Sequence, residues 1–256
     1  MGKMKLTILG SGTFVPELNR TCTSFLLEDE GEKIVFDFGR GVIERLLELK
    51  ISLYEIDKIF ISHMHVDHFS DLFPFIHFIL FTPNKDKLKL PYKIYGPKGI
   101  KQIFDKIFDA LYPDGNKNLD RIGIKDIFNG EEINFRKLKI KGFKVEHSQT
   151  HLCFGYQIIK DDKKICYSGD TKNCETLREY CKNSDLAIIE ATGPPELKLD
   201  GHLTGEEVGQ IAKESKIKKL IIVHVAGTYL TRVKKDIQKN FKGEIIIAKD
   251  LMEVEI

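Results

Sequence analysis

Lys58-Ile59-Phe60-Ile61-Ser62-His63-Met64-His65-Val66-Asp67-His68 decides the fold. Lys58–Ile61 has the length and apolar content of a short buried strand, and Ser62 opens a polar loop behind it. In that loop His63, His65, Asp67 and His68 concentrate four metal-ligating side chains. Imidazole and carboxylate suit zinc and related divalent ions. On a tight loop His63 and His65 can face one ion while Asp67 and His68 face a neighbour. Two ions about 3.5–4 Å apart can clamp a bridging hydroxide and a phosphoryl group. The plain alternative is a solvated histidine-rich surface loop. The density of ligands and their echo downstream speak against it.

Three more strand ends carry ligands. Ser168-Gly169-Asp170-Thr171 ends a buried strand with a carboxylate, the group best suited to bridge two cations. Ile221-Ile222-Val223-His224-Val225 ends another with an imidazole, and Val145-Glu146-His147-Ser148 a third. Taken singly, these read as a strand-end turn and as satisfied core histidines. Together they bring two imidazoles and one carboxylate to strand ends, which a two-metal centre requires.

Outward from these motifs, apolar runs of strand length alternate with helical patterns. Strands are expected at Lys5–Leu9, Cys22–Glu28 and Lys33–Asp37, the last two as a hairpin around Asp29-Glu30-Gly31. Helices are expected at Gly41–Leu49, Asp71–Phe81 and Ile100–Leu111, with a strand at Lys93–Tyr95 between the last two. The second half repeats the scheme. Strands are expected at Glu132–Phe135, Phe143–Glu146, Phe154–Ile159 and Lys164–Ser168, then at Leu186–Glu190 and Leu220–Val223, with Glu244–Ala248 as the final strand. Helices fall at Asn173–Cys181, Thr204–Glu214 and Tyr229–Asn240. Thr204 and Glu207 have capping-box spacing. Two such halves packed sheet on sheet give an α/β fold, a four-layer αββα sandwich, as one domain over residues 1–256.

The chain has 256 residues and a net charge of +2, so charge alone does not announce a nucleic-acid binder. The opening residues do not resemble a secretion signal. The most apolar stretch, Leu72–Phe81, is interrupted by Pro74 and His77 and falls short of the roughly 20 residues a membrane span needs. Cys22, Cys153, Cys166, Cys174 and Cys181 form no framework and no CxxC pair, which suits reduced thiols in a cytoplasmic protein.

The chain resembles metallo-β-lactamase-fold hydrolases, and most of all the branch of the tRNA 3′-processing endoribonuclease, RNase Z. The resemblance rests on Gly10-Ser11-Gly12-Thr13, Asn19-Arg20, Phe36-Asp37-Phe38-Gly39, the His63–His68 motif and Tyr95-Gly96-Pro97-Lys98-Gly99. It continues through Gly155-Tyr156, the Ser168–Thr171 motif, Glu190-Ala191-Thr192, His202-Leu203-Thr204 and His224. It implies that His63, His65 and His147 bind one metal, that Asp67, His68 and His224 bind a second, and that Asp170 bridges them. A water shared by both ions would be the nucleophile, with Asp67 steering its proton. His202 matches the family's catalytic histidine, which stabilises phosphate charge or protonates the leaving oxygen, and Glu190 would orient it. His147 and His151 both precede Gly155-Tyr156; His147, which ends the strand and is followed by Ser148 as in the family pattern, is the preferred third ligand of the first metal, and His151 is the other candidate or a residue lining the substrate pocket. The ions would be zinc, with manganese or iron fitting the same ligands, and a homodimer is compatible with the family.

Two features depart from RNase Z. The family's tRNA-gripping arm, in its best-known bacterial form, lies between the Gly-Tyr strand and the Ser-Gly-Asp-Thr strand. Here that interval is a compact hairpin, Ile158–Ile165, turning at Asp161-Asp162. The family's His-Glu-Ala-Thr motif reads Ile189-Glu190-Ala191-Thr192. Leu72-Phe73-Pro74-Phe75 with Phe78 and Phe81 reads as a core-facing stripe, or else as an apolar lip, lid or dimer face. His77 reads as a packed or surface side chain. Lys85, Lys87, Lys89, Lys93, Lys98 and Lys101 form a basic run, a solvated face or a phosphate contact. Tyr112-Pro113-Asp114-Gly115-Asn116 reads as a loop bordering the cleft.

The expectation is therefore a cytoplasmic binuclear metallohydrolase acting on a phosphodiester, RNA in the RNase Z manner or a small molecule, with no membrane partner. The alternatives are a hydrolase of a small phosphodiester, sulfate ester or lactone, and a metal-stabilised binding subunit.

Overall fold

In the computed structural model, which describes residues 4–89, 91–115 and 118–256, two seven-stranded sheets face each other. The first half contains β1 (Lys5–Gly10), β2 (Ser24–Asp29), β3 (Glu32–Phe36), α1 (Val42–Glu48), β4 (Lys58–Phe60), α2 (Val66–Phe69), α3 (Leu72–Phe81), β5 (Tyr92–Pro97), α4 (Ile100–Leu111) and β6 (Ile122–Ile127). The second contains β7 (Glu132–Phe135), β8 (Leu138–Val145), β9 (Cys153–Lys160), β10 (Lys163–Tyr167), α5 (Glu175–Cys181), β11 (Leu186–Glu190), α6 (Gly205–Glu214), β12 (Lys219–Val223), α7 (Leu230–Asn240), β13 (Glu244–Ile247) and β14 (Met252–Glu255). The sheet orders are β14-β1-β2-β3-β4-β5-β6 and β13-β12-β11-β10-β9-β8-β7.

Strand alternation splits the apolar residues between three cores. Leu6, Ile8, Phe25, Phe36 and Phe60 of the first sheet meet Tyr156, Ile158, Tyr167, Ile188 and Ile221 of the second. The intervening residues point outward. Leu9, Leu26, Val35 and Ile59 pack under α1, α3 and α4. Ala187, Ile189, Leu220 and Ile222 pack under α5, α6 and α7. Strands buried on both faces read as unbroken apolar runs, which is why β11 and β12 were legible from sequence. The result is the expected αββα sandwich.

Two expectations need correction, and one strand was not expected. The strand ending at Val145 begins at Leu138; its alternating lysines mask it, because they face outward while Leu138, Ile140 and Val145 are buried. Ile122–Ile127 is a strand, paired parallel to β5. Glu244–Ile247 is not the final strand: β14 follows it and crosses to the first sheet, antiparallel to β1. A four-residue strand with one buried side chain leaves little periodicity to read.

Helix α3 buries Leu72, Phe75, Ile76, Ile79 and Leu80, so most of its stripe is core. Phe81 is exposed, and His77 is exposed with Nδ1 2.7 Å from the Tyr112 hydroxyl. Of the lysine run, Lys89 and Lys101 are engaged by Asp57 and Asp105, while the side chain of Lys85 lies outside the described residues. Asn116, at the end of the expected Tyr112–Asn116 loop, also lies outside them. Among the described residues no helix is long and apolar enough to cross a membrane.

Candidate metal centre

The parallel strands β3, β4, β10, β11 and β12 all end at the same rim, where open α/β sheets characteristically place ligands. Asp37 follows β3, His63–His68 follows β4, Asp170 follows β10, Glu190 ends β11 and His224 follows β12. His147 comes from the loop after β8. The turn carrying Asp67 fits because residue 39 is glycine. A Cβ there would stand 1.7 Å from the Asp67 carbonyl oxygen. His224 sits at φ 54, a costly conformation for a non-glycine residue and one often retained where a side chain must be aimed.

Two donor sets result, one of His63, His65 and His147, the other of Asp67, His68, Asp170 and His224. In the first, His65 Nδ1 lies 3.0 Å from His63 Nε2 and 2.9 Å from His147 Nε2. Two imidazoles on one zinc ion with arms of about 2.0–2.1 Å stand roughly 3.3 Å apart, so these spacings suit a shared cation. In the second, Asp67 Oδ2 lies 3.5 Å from His68 Nε2 and 3.4 Å from His224 Nε2. Asp170 Oδ2 stands between the sets. It is 3.2 Å from His68 Nε2 and 3.3 Å from His224 Nε2, and 3.9 Å from both His63 Nε2 and His147 Nε2. His151 is exposed and bonded to Thr150 Oγ1 instead, so His147 is the one brought to the cluster.

Four of the five imidazoles, those of His63, His68, His147 and His224, are aimed by a partner on the other nitrogen, the arrangement that sets tautomer and orientation in metal sites. His68 Nδ1 is 2.8 Å from Asp37 Oδ2, His147 Nδ1 2.8 Å from the Gly201 carbonyl, His224 Nδ1 3.1 Å from Thr192 Oγ1 and His63 Nδ1 3.0 Å from Ser62 Oγ. Asp37 holds the whole loop. Its carboxylate accepts from the Ser62 amide at 2.6 Å, the Ser62 hydroxyl at 2.8 Å and the Tyr167 hydroxyl at 2.5 Å. Sequence reading quoted Asp37 without giving it a task. An aspartate between Phe36 and Phe38 at a strand end was the available signal, since a buried carboxylate demands donors.

The residues fit a divalent cation. Asp170 Oδ1 and His68 Nε2 are buried, and among the described residues neither finds a partner in hydrogen-bonding geometry. Burial opposes charge on Asp170, yet His224, His68 and His63 hold its carboxyl well below the usual range. Burial likewise opposes charge on His68, yet Asp170, Asp37 and Asp67 push its imidazole well above the usual value. Burial holds the His63 and His65 imidazoles below their usual value, so they stay neutral donors, while the carboxylates draw a proton onto His68 whose place a cation would take.

Beside the cluster, His202 Nδ1 lies 2.9 Å from Glu190 Oε1. Burial lowers the His202 pKa, but the Glu190 hydrogen bond and charge outweigh it and push it up to about 9. Glu190 is fixed in turn by the Thr171 amide at 3.0 Å and the Thr192 hydroxyl at 2.8 Å. Thr192 Oγ1 thus serves Glu190, His202 and His224 together, a junction that sequence reading passed over.

Residues 32–225 match the model of the beta-lactamase superfamily domain. The curated Ribonuclease Z of Methanosarcina acetivorans is 28% identical, over 99% of this chain and 98% of the relative. That of Borrelia duttonii is 29% identical, over 98% and 96%. The first alignment runs over 310 positions against 256 residues here, so the relative carries insertions this chain lacks. Among solved structures, the metallo-beta-lactamase fold protein YhfI of Bacillus subtilis superposes with a TM-score of 0.87 at 22% identity, covering 99% of this chain and 100% of that one. Human tRNase Z, short form, superposes at 0.78 and 23% identity, covering 98% of each chain. These likenesses establish the fold. The chain belongs to the beta-lactamase superfamily, as a Ribonuclease Z-like metal-dependent hydrolase of the metallo-β-lactamase fold.

Proposed function

We propose that the chain is a binuclear phosphodiesterase that cuts RNA in the manner of its Ribonuclease Z relatives. The observation that carries this is Asp170 Oδ2, set between two donor clusters with the His202–Glu190 pair alongside. His63, His65 and His147 would hold one divalent ion, Asp67, His68 and His224 the other, and Asp170 both. Zinc suits the nitrogen-rich sets best, and manganese or iron can use the same ligands. Bound there, the ions would supply Lewis acidity toward the phosphoryl oxygens and acidify the solvent nucleophile.

The chain's own groups do the rest. Glu190 holds the Nδ1 proton of His202, which leaves Nε2–H to stabilise phosphate charge or to protonate the departing oxygen. Asp67 turns one oxygen to His68 and His224, which supports a role for it in taking the proton of the attacking solvent. A compact β9–β10 turn, in register up to Lys160 opposite Lys163, supports a second reading as a hydrolase of a small phosphodiester. Five buried free cysteines support a reducing, cytoplasmic location.

The test is a zinc-loaded sample given a precursor tRNA with a 3′ trailer and, separately, bis(p-nitrophenyl) phosphate, beside Asp170→Ala. A single cut at the acceptor-stem boundary, absent in the variant, is expected. Turnover of the small diester alone would favour the second reading, and inertness toward both with two ions bound would refute hydrolysis of phosphodiesters.

A further inference from the structure

The cleft has two unlike walls. On the His147 side a cavity of about 630 Å³ is polar, with Asn129, Lys144, Ser148, Gln149 and Lys172 around it. On the His202 side lies a cavity of about 180 Å³ bounded by Phe14, Val15, Leu197, Leu199 and Tyr229, with Thr192 at its inner edge. Among the described residues no charged side chain lines it.

This apolar cavity is built from the same loops as the centre. Phe14 and Val15 belong to the β1–β2 loop. Leu197 and Leu199 belong to the β11–α6 loop that carries His202, whose amide donates to the Leu199 carbonyl at 3.2 Å. Tyr229 follows His224 on the β12–α7 loop. Thr192, the inner wall, hydrogen-bonds both His202 and His224. Whatever fills the cavity therefore lies next to a group held at the centre. Its volume is below the roughly 300–1,000 Å³ of sites that enclose drug-sized ligands, so it takes one ring system rather than a chain segment. Phe14 is 61% exposed, and among the described residues no aromatic ring stacks on Phe14 or Tyr229. An aromatic face left open beside a phosphate-handling centre offers a stacking platform.

We propose that the Phe14–Tyr229 cavity receives the base of the nucleotide adjoining the scissile phosphate, on the side of the oxygen that leaves toward His202. The polar His147 wall takes sugar and phosphate of the other side. This rests on the phosphodiesterase reading above. It makes the enzyme demand a base at one neighbouring position while tolerating its absence at the other. The base's identity is left loosely read, because stacking is indifferent to hydrogen-bonding edges.

The experiment uses zinc-loaded full-length protein and precursor tRNA with a 3′ trailer, in which the nucleotide on one side of the cut or the other is abasic. In the wild type, base removal on the side of the leaving oxygen is expected to lower kcat/KM roughly 5- to 100-fold, the range of one base–aromatic stack, and on the other side less than about twofold, and the reverse pattern would overturn the assignment. Phe14→Ala is expected to cause a similar loss on the intact substrate. Combined with the abasic substrate it should cost little more than either change alone, as expected when both remove one interaction. Leu47→Ala, an exposed apolar change on α1, is the control and should leave the rates as in the wild type. Cleavage insensitive to both abasic substitutions would overturn the cavity assignment alone. No cleavage of any RNA by metal-loaded protein would overturn the phosphodiesterase reading, and this proposal with it. If Phe14→Ala instead splits a dimer and slows all substrates equally, the cavity is an interface between copies and the proposal fails.

Discussion

At the scale of single residues, the centre depends on side chains that never touch a cation. Asp37 accepts four hydrogen bonds and aims His68, so an amide in its place turns at least one donor against another. Asp37→Asn is expected to lower metal affinity roughly 10- to 100-fold with the fold intact, the usual effect of losing an outer partner. Competition against a chromophoric chelator measures this, and unchanged affinity would refute the role. His202 poses a sharper question, because it stands close to His147 and Asp170 as well as to Glu190. If it handles the proton rather than a metal, His202→Ala keeps its full metal content while cleavage falls about 10²- to 10⁴-fold. A drop in bound metal would make it a ligand.

At the scale of elements, the His202 loop is anchored by the start of α6. Thr204 Oγ1 accepts from the Glu207 amide at 3.3 Å, and Glu207 Oε2 accepts from the Thr204 amide at 2.9 Å, as the spacing predicted. Helix α6 then lies unusually close to α7. A Cβ on Gly209 would stand 2.5 Å from the Ile237 carbonyl oxygen and one on Gly205 2.8 Å from that of Val233. For Gly209→Ala two effects compete. Helix propensity gains up to about 1 kcal/mol, whereas overpacking costs roughly 1–3 kcal/mol, and here the obstacle is backbone that cannot rotate away. Overpacking should win. Tm is expected to fall by about 2–4 °C per kcal/mol lost, measured by calorimetry, and a rise would show that the helices part freely.

At the scale of the whole molecule, the centre joins the two sheets. His63, His65, Asp67 and His68 come from the first, and His147, Asp170 and His224 from the second. A cation coordinated from both halves would bind only the folded state, and free metal at 100 times its Kd would add about 2.7 kcal/mol. Chelation is therefore expected to lower Tm by several degrees in the wild type and to have little effect in Asp170→Ala. Equal shifts in both would mean that the metal bridges nothing.

The sequence by itself determined a good deal. The four-ligand loop is local, since its histidines and aspartate are neighbours in the chain, and β11 and β12 announce themselves because burial on both faces leaves unbroken apolar runs at Leu186–Ile189 and Leu220–Val223. Thr204 and Glu207 likewise act within one helical turn. Other features were decided only by tertiary structure. Sequence favoured His147 but kept His151, four residues on in the same short loop, as a candidate; the direction of that loop relative to His65, 82 positions away in sequence, brought His147 and not His151 to the cluster. Strand β14 takes its place from pairing with β1 at the other end of the chain, a contact its own four residues do not encode. Asp37 and Thr192 acquired their tasks the same way: a hydrogen-bond acceptor has no visible role until the fold brings donors to it.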